Sequence, residues 1–83
     1  MQKYVTSIEQ YVINVVKNKR LEHNLTQAGL ANILNVSPGF IGKVESRKYS
    51  SKYNINHINK LSKYFNCSPQ DFLPKEAIDN DSD

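Results

Sequence analysis

A chain of 83 residues, 39% hydrophobic with three glycines and three prolines, suffices for one small domain near the lower limit of an unaided core, with no room for a second. Its aliphatic runs are pairs such as Val12-Ile13 and Val15-Val16, far short of the roughly 20 residues that span a bilayer, residues 1–10 lack the layout of a secretion signal, and a single cysteine, Cys67, excludes an internal disulfide and a zinc cluster. The net charge of +3 is divided: residues 1–75 carry all eleven Lys and Arg against Glu9, Glu22, Glu45 and Asp71, a balance of +7, whereas Glu76, Asp79, Asp81 and Asp83 give the last eight positions −4.

Ile8, Val12, Val15, Val16 and Leu21, with the stem of Lys19, recur at three- and four-residue steps and predict a first helix from Ile8 to Leu21. Thr26 offers a hydroxyl cap for a second helix, Gln27 to Leu34, with Leu30, Ala31 and Leu34 inward and Asn35 suited to a left-handed close. Ser37-Pro38 opens a third helix over about 38–46, because serine caps well and proline has no N–H to lose at the first position. Phe40, Ile41 and Val44 form its core face, and Gly39, Gly42, Lys43 and Arg47 are left for a partner. Residues 46–53 have no periodicity and read as a basic, aromatic-bearing loop.

A fourth helix is expected to begin near Asn54 to Asn56, to carry Ile58, Leu61, Ser62 and Phe65 at i, i+3, i+4 and i+7, and to stop at Asn66. Ser68-Pro69-Gln70-Asp71 is a further capping signal for a short fifth helix burying Phe72 and Leu73, with Cys67 as a small buried hydrophobe beside it. The fold class is therefore all-α, a compact five-helix domain over residues 1–75, with 76–83 an acidic tail expected to be disordered. A basic domain of this kind suits a polyanion, most simply nucleic acid, in the cytoplasm.

The second and third helices are joined by so short a turn that they must cross steeply, and a close crossing needs a small side chain such as Ala31. The pattern Thr26-Gln27-x-x-Leu30-Ala31-x-x-Leu34-Asn35-Val36-Ser37-x-x-Phe40-Ile41-x-x-Val44-Glu45 resembles the lambda-repressor-like, XRE-type helix-turn-helix family. Arg20 before it, and Leu61, Phe65, Asn66, Cys67, Ser68 and Asp71-Phe72-Leu73 after it, extend the likeness over roughly residues 8–74. The resemblance implies a transcriptional regulator that lays its third helix in the major groove of double-stranded DNA, as a homodimer on its site and without a cofactor.

It also implies roles residue by residue. Gln27, next to the cap Thr26, would donate to a phosphate at a helix N-terminus, and the caps Thr26 and Ser37 would themselves face the DNA. Pro38, Gly39 and Lys43, following the cap Ser37, fall where the family's base contacts concentrate. Here the chain departs from the pattern, since Pro38 and Gly39 offer only apolar surface and close approach, whereas Lys43 can donate to guanine. Gly39 and Gly42 either let the helix lie deep in the groove or are simply tolerated there. Arg47, Lys48 and Lys52, with Tyr49 and Tyr53, would clamp phosphates beyond the groove, and Arg20 and Glu45 would form a structural ion pair.

Catalysis has little to draw on. His23 and His57 lie in separate segments and read as capping or surface residues, and no nucleophile triad, metal cluster or phosphate loop is present, so no enzymatic activity is expected. The alternative from another class is a protein-interaction module, an antitoxin or accessory partner, which would need an exposed apolar patch. Tyr4 and Val5 either supply such a surface, or a dimer contact, or pack within the monomer.

Overall fold

Every helix begins on a side-chain cap supplied by the residue just before it. The computed structural model describes residues 4–79 and contains α1 (Ser7–Glu22), α2 (Gln27–Leu34), α3 (Pro38–Ser46), α4 (Ile55–Phe65) and a single 3-10 turn, Pro69–Phe72. Thr6, Thr26, Ser37, Asn54 and Ser68 are the respective N-caps, and each accepts a hydrogen bond from a backbone N–H of the turn it starts. Among the described residues there is no strand. Met1 to Lys3 and the last four residues of the expected acidic tail lie outside the described residues.

The core gathers one face from each helix: Val16 from α1, Leu30, Ala31 and Leu34 from α2, Ile41 from α3, Ile58 and Leu61 from α4, and Phe72 from the 3-10 turn. Helices α2 and α3 make the most extensive contact of any pair. Ala31 is buried, as a small residue at a close helix contact is expected to be. Buried Ser62 is satisfied internally, its hydroxyl donating to the Ile58 carbonyl at 2.8 Å.

Four expectations are corrected. The fifth helix is only the 3-10 turn, because Pro74 disfavours helical dihedrals at Leu73, which is extended at φ −109°, ψ 151°. Leu73 is consequently 49% exposed, Phe72 alone taking the core position. Leu21 is 53% exposed, because the inward slot one turn after Val16 is filled by Arg20 and Leu21 lies about 100° further round the helix. Cys67 is half-buried, packed against the rim of the core.

Candidate nucleic-acid interface

The two central helices are set by their ends. Leu34 is followed by Asn35 in the left-handed region at φ 57°, and Val36 N–H returns to the Ala31 carbonyl at 3.0 Å, so α2 closes and the chain turns within three residues. Ser37 then caps α3 through Phe40 N–H at 3.1 Å, with Pro38 at the first helical position. The Thr26 hydroxyl accepts from Gly29 N–H at 2.9 Å at the start of α2. Both caps expected to face DNA, Thr26 and Ser37, are exposed, as are Gln27, Pro38 and Gly39.

A buried ion pair fixes α3 to α1. Arg20 Nε donates to Glu45 Oε2 at 3.0 Å and Nη2 to Oε1 at 2.9 Å, a bidentate pair whose side chains are 10% and 5% exposed. Arg20 Nη1 donates to the Leu25 carbonyl at 2.8 Å, holding the α1–α2 connection as well. Gln27 Nε2 donates to Glu45 Oε1 at 3.0 Å. The pair therefore also orients the amide at the N-terminus of α2, a link that the spacing of these residues in sequence does not reveal.

Behind α3, Phe40 packs against Tyr53 and His57, with ring centroids 6.3 and 5.6 Å away. His57 accepts the Asn54 N–H on Nδ1 at 3.0 Å while its own N–H donates to the Asn54 side chain at 2.8 Å, closing a capping box for α4. That places the ring proton on Nε2. Partial burial, with Lys60 adding to it, holds the His57 pKa below the usual histidine value. The Tyr53 hydroxyl is buried without a partner among the described residues. Burial first, then the Glu45 charge, outweighs Arg20 and pushes its ionisation far above the ordinary tyrosine range.

The outward face of α3 is bare. A Cβ on Gly42 would meet Gln27 Oε1 at 3.6 Å and one on Gly39 would meet only Ser37 Oγ at 3.9 Å, both ordinary contacts, and neither glycine has a positive φ. The fold does not require glycine at either place, yet each costs up to about 1 kcal/mol relative to alanine in a helix interior. Lys43 is exposed, with its ammonium over the Tyr49 ring at 5.6 Å from the centroid. Arg47 closes α3 at φ 64°, ψ 6°, the only positive-φ residue among the described ones that is not asparagine. Arg47 and Lys48 are exposed and pair with no acidic residue among the described ones. Lys52, expected beside them, instead has its ammonium 2.8 Å from Glu9 of α1.

Two capped helices joined by a three-residue turn and packed on each other, the second with an open outward face flanked by cations, define a DNA-binding helix-turn-helix domain. A family model described as helix-turn-helix matches residues 16–72, and the chain belongs to that family, the XRE-type, lambda-repressor-like one. No curated protein and no solved structure matches the chain. Among the described residues no three His, Cys, Asp or Glu side chains gather to hold a metal, and no helix is long and apolar enough to cross a membrane.

Proposed function

We infer that this protein is a transcriptional regulator, repressor-like, that recognises a short specific sequence of duplex DNA through α3 and acts in the cytoplasm by binding and not by catalysis. The observation that carries this reading is the outward face of α3. Pro38, Gly39, Gly42 and Lys43 make a surface that the monomer's packing does not need, and a groove admitting an α-helix gives it a use. Gln27 meets the phosphate on one side, its amide aimed by Glu45, and Arg47 and Lys48 meet it on the other. Lys43 supplies direct readout, and the glycines supply close approach.

A single short helix reads only a few base pairs, so a homodimer on a two-fold site is the expected active form. The alternative, an interaction module, is favoured by one feature. Tyr11 and Leu73, both exposed, line a groove between α1 and the 3-10 turn together with Gln70, Asp71, Pro74 and Lys75.

The deciding test is selection from random duplex DNA at several salt concentrations, with wild-type protein and a Lys43→Ala, Arg47→Ala variant. Enrichment of a palindromic motif that the variant loses supports the reading. Binding that only decays with salt and enriches no motif returns the protein to the interaction-module class.

A further inference from the structure

The family match starts at residue 16, so the first nine residues of α1 precede it. This first half of α1 carries Glu9. One of its oxygens, Oε1, accepts the Thr6 N–H at 2.9 Å, while the Thr6 hydroxyl accepts the Glu9 N–H at 3.3 Å, a reciprocal box at the helix start. The other oxygen, Oε2, meets Lys52 at 2.8 Å. Partial burial opposes the charge on Glu9, but the hydrogen bond and charge of Lys52 together with the Thr6 bonds outweigh it and hold the carboxyl below its usual range. The carboxylate is thus fixed by its own helix end and offered, charged, to the loop beyond α3.

That loop has little else to hold it. Among the described residues, no backbone–backbone hydrogen bond outside the helices involves residues 48–53. Its side-chain moorings are Tyr53, packed on Phe40 and His57, Lys52 on Glu9, and Tyr49 under the Lys43 ammonium. Between them and α3 lie Arg47 and Lys48, both exposed and without an acidic partner among the described residues.

We propose that Glu9 is a positioning residue for DNA binding: through Lys52 it holds the loop that presents Arg47 and Lys48 to phosphate, and Lys52 is a strut, not a phosphate contact. The proposal rests on the DNA-binding reading above. It assigns to the part of α1 outside the family match a role in setting affinity. For Lys52 to reach a phosphate, the loop would have to give up its tie to α1.

The experiment compares the full chain with Glu9→Gln, Lys52→Gln, the double variant and Lys52→Arg, measuring duplex DNA affinity across salt and amide hydrogen exchange over residues 47–53. Glutamine at position 9 keeps the capping box and removes only the charge. The two single variants shift net charge in opposite directions. Both are nevertheless expected to weaken binding by about two- to fivefold, a surface pair's worth, with the salt slope unaltered and loop exchange faster. The double variant is expected to be no weaker than either single one, and Lys52→Arg to bind like wild type. A salt slope lowered by about one unit in Lys52→Gln, with Glu9→Gln binding as tightly as wild type or tighter, would overturn the proposal, because Lys52 would then be a phosphate contact. If wild type binds no duplex DNA, the functional reading falls, and exchange alone decides: unchanged rates in both single variants overturn the strut.

Discussion

The inner and outer flanks of α3 are built to opposite rules. On the inner flank every polar group near Glu45 except the Tyr53 hydroxyl is spoken for: Arg20 bonds both carboxylate oxygens and the Leu25 carbonyl, and Gln27 completes the set. On the outer flank Arg47 and Lys48 stand exposed and unpaired among the described residues, and two glycines leave the helix surface uncovered. Buried, mutually satisfied contacts gather on the first flank and exposed, unpaired cations on the second. Even the backbone follows the division, because α2 and α4 close on asparagine whereas α3 closes on an arginine held in the same left-handed region.

The comparison is broken most severely by Glu45→Ala, which strands a buried guanidinium and releases Gln27. A loss of about 3–5 kcal/mol is expected in denaturant unfolding, enough to unfold much of so small a domain. Replacement of Arg47 by glycine sharpens the contrast by giving the two properties opposite signs. Relief of the left-handed strain, less the extra freedom of an unfolded glycine, should raise stability by about 0.5–1 kcal/mol while DNA affinity falls and its salt slope drops by about one unit. Unfolding curves and salt titrations of the same preparation check both halves.

The smallest effect concerns pH. His57 has its pKa depressed from 6.5 in the folded chain, so the unfolded chain binds the extra proton first as pH falls. The stability it contributes is full above pH 6.5 and is lost as pH falls through the lower folded value. Protonation of Nδ1 also removes the acceptor for Asn54 N–H. His57→Gln keeps an acceptor in the capping box and is expected to flatten stability against pH across that window, read by urea unfolding at pH 7 and pH 5.

Helix starts were the most legible feature, because capping chemistry is local: Thr26, Ser37 and Ser68 each mark an observed boundary, and Pro38–Ser46 is α3 as its spacing predicts. The Arg20–Glu45 pair was accessible only through family likeness, since its partners are 25 residues apart. Lys52 shows where such reading stops. Its neighbours made it one of several equivalent cations in a basic loop, and nothing in their order reveals that the first turn of α1 returns to that loop with Glu9. The exposure of Leu21 and Leu73 was missed for a related reason. Periodicity names the residues competing for a core slot, and packing decides that Arg20 and Phe72 take it.

The self-contained caps bear on how quickly the chain folds. Each helix start is stabilised by a residue two or three positions away, so the turns that limit helix nucleation are favoured before any distant segment arrives. With helices local and the connections between α1, α2 and α3 short, folding belongs to the fast end of the small-domain range, microseconds to milliseconds. The loop after α3, lacking backbone hydrogen bonds of its own over residues 48–53, is the segment that must wait for α1 and α4 to be in place. The segment that follows Arg47 and Lys48 therefore takes its shape from side-chain contacts with α1, α3 and α4 and not from its own backbone.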